Sequence, residues 1–303
     1  MTAKMRSLAF ALGGGGAHGA LQVGALRALL EAGIQPDLLV GTSIGAVNAV
    51  FLAMHGFTSK ALDDLNTAWF AAAKADLFPA STPWLAMRVF FNRFHARPDQ
   101  RLKDFFISQG ATPDLRFADL PHFPVILVSS DLNNHQPVYY GSNPHDSVLE
   151  GLLASTALPP WVHPIETGGH FLIDGGSVSN LPIEPAITHG ATEVIALELT
   201  NLDDIDLNAH GFGSFLTKYL NTIEARQISL ELELARTKDI HVHIVTLKTE
   251  IPVPAWDFSH TDELIARGYH ITNQEIARWK PARKRWWTGM FFHPDRTHMM
   301  DNS

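Results

Sequence analysis

Two glycine-rich turns, each between a short apolar run and a helical pattern, constrain this chain more than any other feature. Gly13-Gly14-Gly15-Gly16-Ala17-His18-Gly19 follows the apolar run Ser7–Leu12 and precedes Ala20–Ala32, whose apolar residues recur at helical spacing and stop at Gly33. Gly41-Thr42-Ser43-Ile44-Gly45 follows Asp37–Val40 and leads into Ile44–His55, which stops at Gly56. Short apolar runs bounded by turns read as buried strands, and a glycine just past a periodic segment reads as a helix stop. Strand, turn, helix, repeated, predicts a parallel sheet with helices on its faces.

The rest of the chain continues the alternation. Further strands are expected at Val125–Ser129, Val138–Gly141, Phe171–Asp174, Glu193–Leu199 and Ile240–Leu247. Residues 57–120 read as mainly helical, and long helices are expected at Phe215–Arg236 and Thr261–Trp279. No repeat, linker or composition shift marks a boundary. The expectation is one α/β domain over 1–303, with a core at about 7–200 and a helical extension and tail at about 201–303. With 46% apolar and 18% charged residues, a large core is available and the composition argues against bulk disorder.

The first turn has three readings. Gly14, Gly16 and Gly19 satisfy G-x-G-x-x-G, a dinucleotide fingerprint that also needs an acidic residue at the end of the second strand. That strand ends Leu39-Val40-Gly41, and Asp37 stands at its start, so the nucleotide reading is disfavoured. A plain tight turn does not need four consecutive glycines. The third reading is an oxyanion hole: bare backbone N–H groups at a helix N-terminus stabilise the negative oxygen of a tetrahedral intermediate.

The second turn matches G-x-S-x-G at a strand-to-helix junction, where a serine hydroxyl projects at the carboxyl edge of the sheet. A serine that merely caps a helix gives the same local pattern. Glycine loop and serine on neighbouring strand ends supply the two parts that acyl transfer needs. For the proton acceptor, sixteen histidines leave composition undecided. Asp174, in Ile173-Asp174-Gly175-Gly176, ends an apolar strand and faces the same sheet edge, although Asp-Gly is also an ordinary turn pair.

The three motifs resemble, in order and approximate spacing, those of the patatin-like phospholipase family. Ala154-Ser155-Thr156-Ala157-Leu158-Pro159 is similar to the family's helix end before its aspartate, and Ser177 to Pro182 to the segment after its Asp-Gly pair. The resemblance covers roughly residues 7–200. It implies a three-layer α/β/α sandwich with a mostly parallel central sheet. It also implies a Ser43–Asp174 dyad without a catalytic histidine, an oxyanion hole from the amides of Gly14, Gly15 and Gly16, and no metal or other cofactor. Gly41, Gly45, Gly175 and Gly176 are the motif neighbours. The family usually carries Arg or Lys where His18 stands, so a fixed positive charge beside the loop is not expected here.

The implied activity is hydrolysis of acyl esters in phospholipids or lysophospholipids. Two other readings compete: an esterase or thioesterase of small acyl groups, and a membrane-associated lipid binder with vestigial chemistry. A net charge of -8 argues against a nucleic-acid partner, and the lack of cysteine excludes thiolate catalysis and disulfides. Met1–Leu12 runs straight into Gly13 without a cleavage region, and no apolar run reaches membrane-spanning length. A cytoplasmic protein is expected, with peripheral membrane contact as an option. Two segments bear on that option. Trp84, Leu85, Met87, Phe90, Phe91 and Phe94 mix with Arg88, Arg93 and Arg97, as a lid or as an amphipathic helix on the core. The tail combines Trp286, Trp287, Phe291 and Phe292 with Arg283, Lys284 and Arg285, which suits an anionic interface, a neighbouring subunit or the domain's own surface. His241 and His243 share one face of a strand, more as a sheet-edge pair than as metal ligands. Oligomeric state is not legible.

Overall fold

The computed structural model describes residues 6–75, 100–159, 161–200, 212–250 and 253–279. The eight strands are β1 (Leu8–Leu12), β2 (Leu38–Thr42), β3 (Val125–Asp131), β4 (Gln136–Tyr140), β5 (Ile165–Thr167), β6 (His170–Asp174), β7 (Glu193–Thr200) and β8 (His241–Lys248). They form one sheet, ordered β5-β6-β3-β2-β1-β7-β8, with β4 also paired to β3. The run from β3 through β2, β1, β7 and β8 is parallel; β4, β5 and β6 are antiparallel additions at one end.

Helices cover both faces, as a parallel sheet requires. Alternate residues of β1 show the division. Phe10 and Leu12 join the larger core with α1 (Gly19–Glu31), α2 (Ile44–His55), α3 (Ser59–Lys74), α4 (Gln100–Ser108), α5 (Val148–Ser155) and α9 (Thr261–Trp279). Ala9 and Ala11 face a smaller core against α7 (Ile183–Thr188) and α8 (Phe212–Thr237). A four-residue turn of helix, α6 (Gly176–Ser179), lies between β6 and α7. The expected three-layer α/β/α sandwich with a mostly parallel sheet is therefore observed. β8 extends the same sheet, and α9 packs on α1, where Gly24 and Gly268 let the two backbones approach closely.

Most elements lie where the pattern predicts them, and the differences have local causes. The second strand runs on to Thr42 because Gly41 and Thr42 pair with Leu127 and Val128 of β3, so ladder bonds outweigh glycine's poor strand propensity. β5 was not expected. It forms with β6 a hairpin around Gly168-Gly169, both at positive φ, the geometry a two-residue turn favours. Asp37, the acid at the wrong end for a ribose, accepts a hydrogen bond from the Leu8 amide at 2.8 Å and so fastens the start of β1. The aromatic segment at Trp84–Phe94 and the tail with Trp286, Trp287, Phe291 and Phe292 lie outside the described residues. Among the described residues, no helix is long and apolar enough to cross a membrane.

The antiparallel β6 matters most for the site. β4 pairs with Leu127–Asp131 along one edge of β3. A strand has two edges, so β2 and β6 share the other. There Thr42 lies opposite Val128, and Asp174 lies opposite the next residue, Ser129. β3 thus acts as a ruler that brings the end of β2, running one way, to the end of β6, running the other.

Candidate active site

Ser43 follows the last residue of β2 and caps α2. Its backbone has φ 54 and ψ -124, a region that costs a non-glycine residue about 1–3 kcal/mol. The surroundings hold it there. The Ser43 amide donates to Ser155 Oγ at 3.0 Å, and the Ser155 hydroxyl donates to the Val128 carbonyl at 2.6 Å. The Thr42 hydroxyl donates to the Ser179 carbonyl at 2.8 Å. Gly41 and Gly45 make the sharp turn sterically possible: a side chain at Gly41 would strike the first turn of α2, and one at Gly45 the backbone ending β1. Replacing Ser155 with alanine is expected to destabilise the fold by about 1–3 kcal/mol, because the part-buried Ser43 amide loses its acceptor and the Val128 carbonyl its donor. An unchanged urea midpoint would remove Ser155 from this role.

Asp174 is 4% exposed. Its amide donates to the Ala157 carbonyl at 3.0 Å, and its Oδ1 accepts the Gly176 amide at 2.8 Å. Oδ2 is buried without a well-formed hydrogen bond. Burial pushes this carboxyl up to about 6, against a smaller opposing pull from the Ser43 hydroxyl beside it and from the Gly176 amide. Gly175 lies against the Val128 carbonyl, where a side chain would not fit. Ser43 and Asp174, 131 residues apart in sequence, are therefore neighbours.

The glycine turn borders the same spot. A Cβ on Gly14 would lie 3.1 Å from Ser43 Cβ, and one on Gly16 would strike the Ala255 carbonyl. The four amides differ in use. Gly13 donates to the Leu197 carbonyl at 3.1 Å and Gly14 to the Asn180 carbonyl at 3.0 Å. Gly15 and Gly16 donate to no acceptor among the described residues. Gly14 thus contributes close packing on Ser43, with its N–H committed elsewhere. His18 is buried, and its Nε2 donates to the Val253 carbonyl at 2.6 Å, which ties the turn to the covering segment at 253–255.

Several supporting residues carry no motif. Gln22 Nε2 donates to the Gly13 carbonyl at 2.8 Å; Asn48 Nδ2 donates to Gln22 Oε1 at 2.9 Å and the Gly19 carbonyl at 3.1 Å; Trp69 Nε1 donates to Asn48 Oδ1 at 3.0 Å. This buried chain of side-chain hydrogen bonds ties the glycine turn to three helices. Gln22 and Asn48 could have been found as lone polar residues on otherwise apolar helix faces. Asn180 donates from Nδ2 to Glu224 of α8, and its Oδ1 lies against Gly14 and Gly176, so it bridges both turns. Nothing in its local sequence announces that contact.

An apolar pocket opens beside Ile44, the residue after Ser43. It runs along α2 past Val47 and Phe51 and is walled by Leu102, Phe106 and Phe258. The strand histidines lie apart from this site: His243 Nε2 is 3.3 Å from Glu193 Oε1, toward the opposite end of the parallel strands. Chemically, the arrangement offers a hydroxyl on a strained turn, a buried carboxylate with an unused lone pair, two unused backbone N–H groups and an apolar channel.

A sequence-family model described as Patatin-like phospholipase matches residues 10–187. "Lysophospholipase nte1" of Aspergillus terreus is 30% identical over 227 residues, covering 72% of this chain and 13% of that protein. "Patatin-like phospholipase domain-containing protein 6" of Homo sapiens is 31% identical over 214 residues, covering 68% of this chain and 14% of that protein. The chain thus spans about one seventh of the length of these relatives. Among solved structures, VipD from Legionella pneumophila aligns over 91% of this chain and 67% of its own, at 16% identity and a TM-score of 0.46.

Proposed function

The chain belongs to the patatin-like phospholipase family, and from that premise we propose that it is a serine hydrolase of acyl esters in phospholipids or lysophospholipids. The observation that carries this reading is the buried Asp174 carboxylate, with Oδ2 unused, beside the Ser43 hydroxyl. In the proposed reaction the Ser43 oxygen attacks the ester carbonyl while its proton passes to Asp174. The carbonyl oxygen becomes an oxyanion, held by the amides of Gly15 and Gly16. The expected set of Gly14, Gly15 and Gly16 is thereby narrowed, since the Gly14 amide is already bonded to Asn180. Each such donor typically contributes about 3–4 kcal/mol to the transition state. Collapse expels the alcohol, which takes the proton back from Asp174, and water repeats the cycle to free Ser43. The apolar pocket beside Ile44 receives the acyl chain. The proposal treats the chain as one catalytic unit, since β8 extends the sheet that carries Ser43.

Burial makes Asp174 a better acceptor than a free aspartate, because a carboxylate near 6 holds a proton about a hundredfold more tightly than one near 4. It accepts a proton only when ionised. Hence kcat/KM is expected to rise with pH through about 6 and to fall about tenfold per unit below it. A flat profile between pH 5 and pH 8 would exclude Asp174 as the acceptor.

The experiment for the whole reading is a substrate profile. The protein is offered p-nitrophenyl esters of increasing chain length, phosphatidylcholine and lysophosphatidylcholine, alongside labelling by a fluorophosphonate. Labelling at Ser43 with preference for long acyl chains is the expected result. Preference for the shortest esters would reassign the protein to small acyl substrates, and no labelling at Ser43 would leave it a lipid binder.

A further inference from the structure

Two segments are hydrogen-bonded to the site, one beside Asp174 and one beside the glycine turn. The first, residues 156–159 with 161–162, gives its Ala157 carbonyl to the Asp174 amide and Thr156 to the lining of the apolar pocket. The second, residues 253–258, gives its Val253 carbonyl to His18, its Ala255 carbonyl to the Ala17 amide and its Phe258 ring to the pocket. They meet through Trp161 and Trp256, whose rings stack with centroids 5.6 Å apart at 28°. Trp256 is 42% exposed and Leu158, on the first segment, 44% exposed. Each segment thus carries a pocket-lining residue, Thr156 or Phe258, within two positions of an exposed apolar side chain, Leu158 or Trp256.

We infer that Trp256, Trp161 and Leu158 form the contact by which this protein seats its acyl pocket on the surface of a zwitterionic phospholipid bilayer. The inference rests on the lipid-hydrolase reading for its substrate. A chain drawn from a bilayer gains by passing from lipid to pocket with little exposure to water, and these exposed apolar side chains sit on the two segments that supply Thr156 and Phe258 to the pocket wall. Tryptophan suits the headgroup level, with an apolar ring and one N–H. The charge beside Trp256 sets the lipid. The Asp257 carboxylate, which accepts hydrogen bonds from the Ser259 amide and hydroxyl, puts a negative charge next to Trp256 and disfavours an anionic surface there.

The test uses the full chain and phosphatidylcholine vesicles. Sedimentation is measured in a Ser43→Ala background, so that binding is read without turnover. Adding Trp256→Ala is expected to weaken vesicle binding about tenfold or more, and Trp256→Phe, which keeps a ring in the stack, to restore most of it. In the catalytically intact chain, Trp256→Ala is expected to lower the ratio of vesicle hydrolysis to monomeric p-nitrophenyl ester hydrolysis by a similar factor. Equal sedimentation of Trp256→Ala and its parent would overturn the inference, as would an equal loss on both substrates with binding retained. Should Trp256→Ala fail to fold, Leu158→Ser reads the same contact from an exposed position with the same two outcomes. A wild-type chain that binds vesicles through Trp256 yet hydrolyses no ester leaves the docking surface standing and removes the hydrolase reading instead.

Discussion

Ser43→Ala is expected to reduce ester hydrolysis by about 10⁴-fold or more, with fluorophosphonate labelling lost and the melting temperature nearly unchanged. The size follows from the role. Ser43 supplies the hydroxyl beside the Asp174 carboxyl, so its loss removes the group proposed to form the acyl-enzyme. The unchanged stability follows from the backbone. Alanine keeps the strained φ of 54, and the bond from residue 43's amide to Ser155 is untouched. Ser43→Gly separates the two effects. It is equally inactive, but glycine relaxes at positive φ, so it is expected to raise stability by about 1 kcal/mol or more. Thermal unfolding of the three proteins checks this order, and an alanine variant with substantial residual turnover would remove Ser43 as the nucleophile.

Asp174→Asn is expected to lower kcat by about 10³-fold or more while making the fold more stable at neutral pH. The sign of the stability change comes from linkage. The folded carboxyl holds its proton up to about 6, the unfolded one only to its ordinary value of 3.8. Between these values the folded state binds more protons, so stability falls as pH rises through the window and stays reduced above it. The full difference corresponds to on the order of 3 kcal/mol at neutral pH, an upper limit for what removing the charge can return. Asparagine returns part of it. Its oxygen can keep the bond to the Gly176 amide, but its NH₂ then occupies the place of Oδ2, which among the described residues has no hydrogen-bond partner apart from the neighbouring Ser43 hydroxyl. A gain of about 1–2 kcal/mol over wild type is expected at pH 7.5, shrinking toward nothing near pH 4 as the wild-type carboxyl takes up its proton. Urea unfolding at both pH values measures it. A variant less stable than wild type at pH 7.5 would mean that the carboxylate is better solvated or paired than its burial implies.

Both predictions concern residues that stood out in the sequence, while the groups that hold them did not. Ser43 and Asp174 announce themselves because each sits between glycines at the end of an apolar run. Ser155 and Asn180 lie in segments recognisable only by resemblance, and their contacts span 112 and 166 residues. Gln22 and Asn48 look like interruptions in apolar helices until their amides are seen to satisfy one another and the glycine turn. The amides of the turn were indistinguishable in sequence. Only the carbonyls of Leu197 and Asn180, brought in from distant segments, separate the bonded Gly13 and Gly14 from the free Gly15 and Gly16.

Local pattern was enough to determine the parallel β1–β2 unit, the covering of both sheet faces and the candidacy of Ser43, because strand periodicity and glycine turns act over a few residues. Tertiary structure alone decided how the serine acquires its partner. Asp174 reaches Ser43 because β6 runs antiparallel and continues, past the end of β2, along the same edge of β3. Strand direction depends on pairing between segments far apart in the chain, which no local pattern encodes. The same holds for the raised proton affinity of Asp174: a carboxylate's charge is penalised by burial, and burial is a property of the assembled layers.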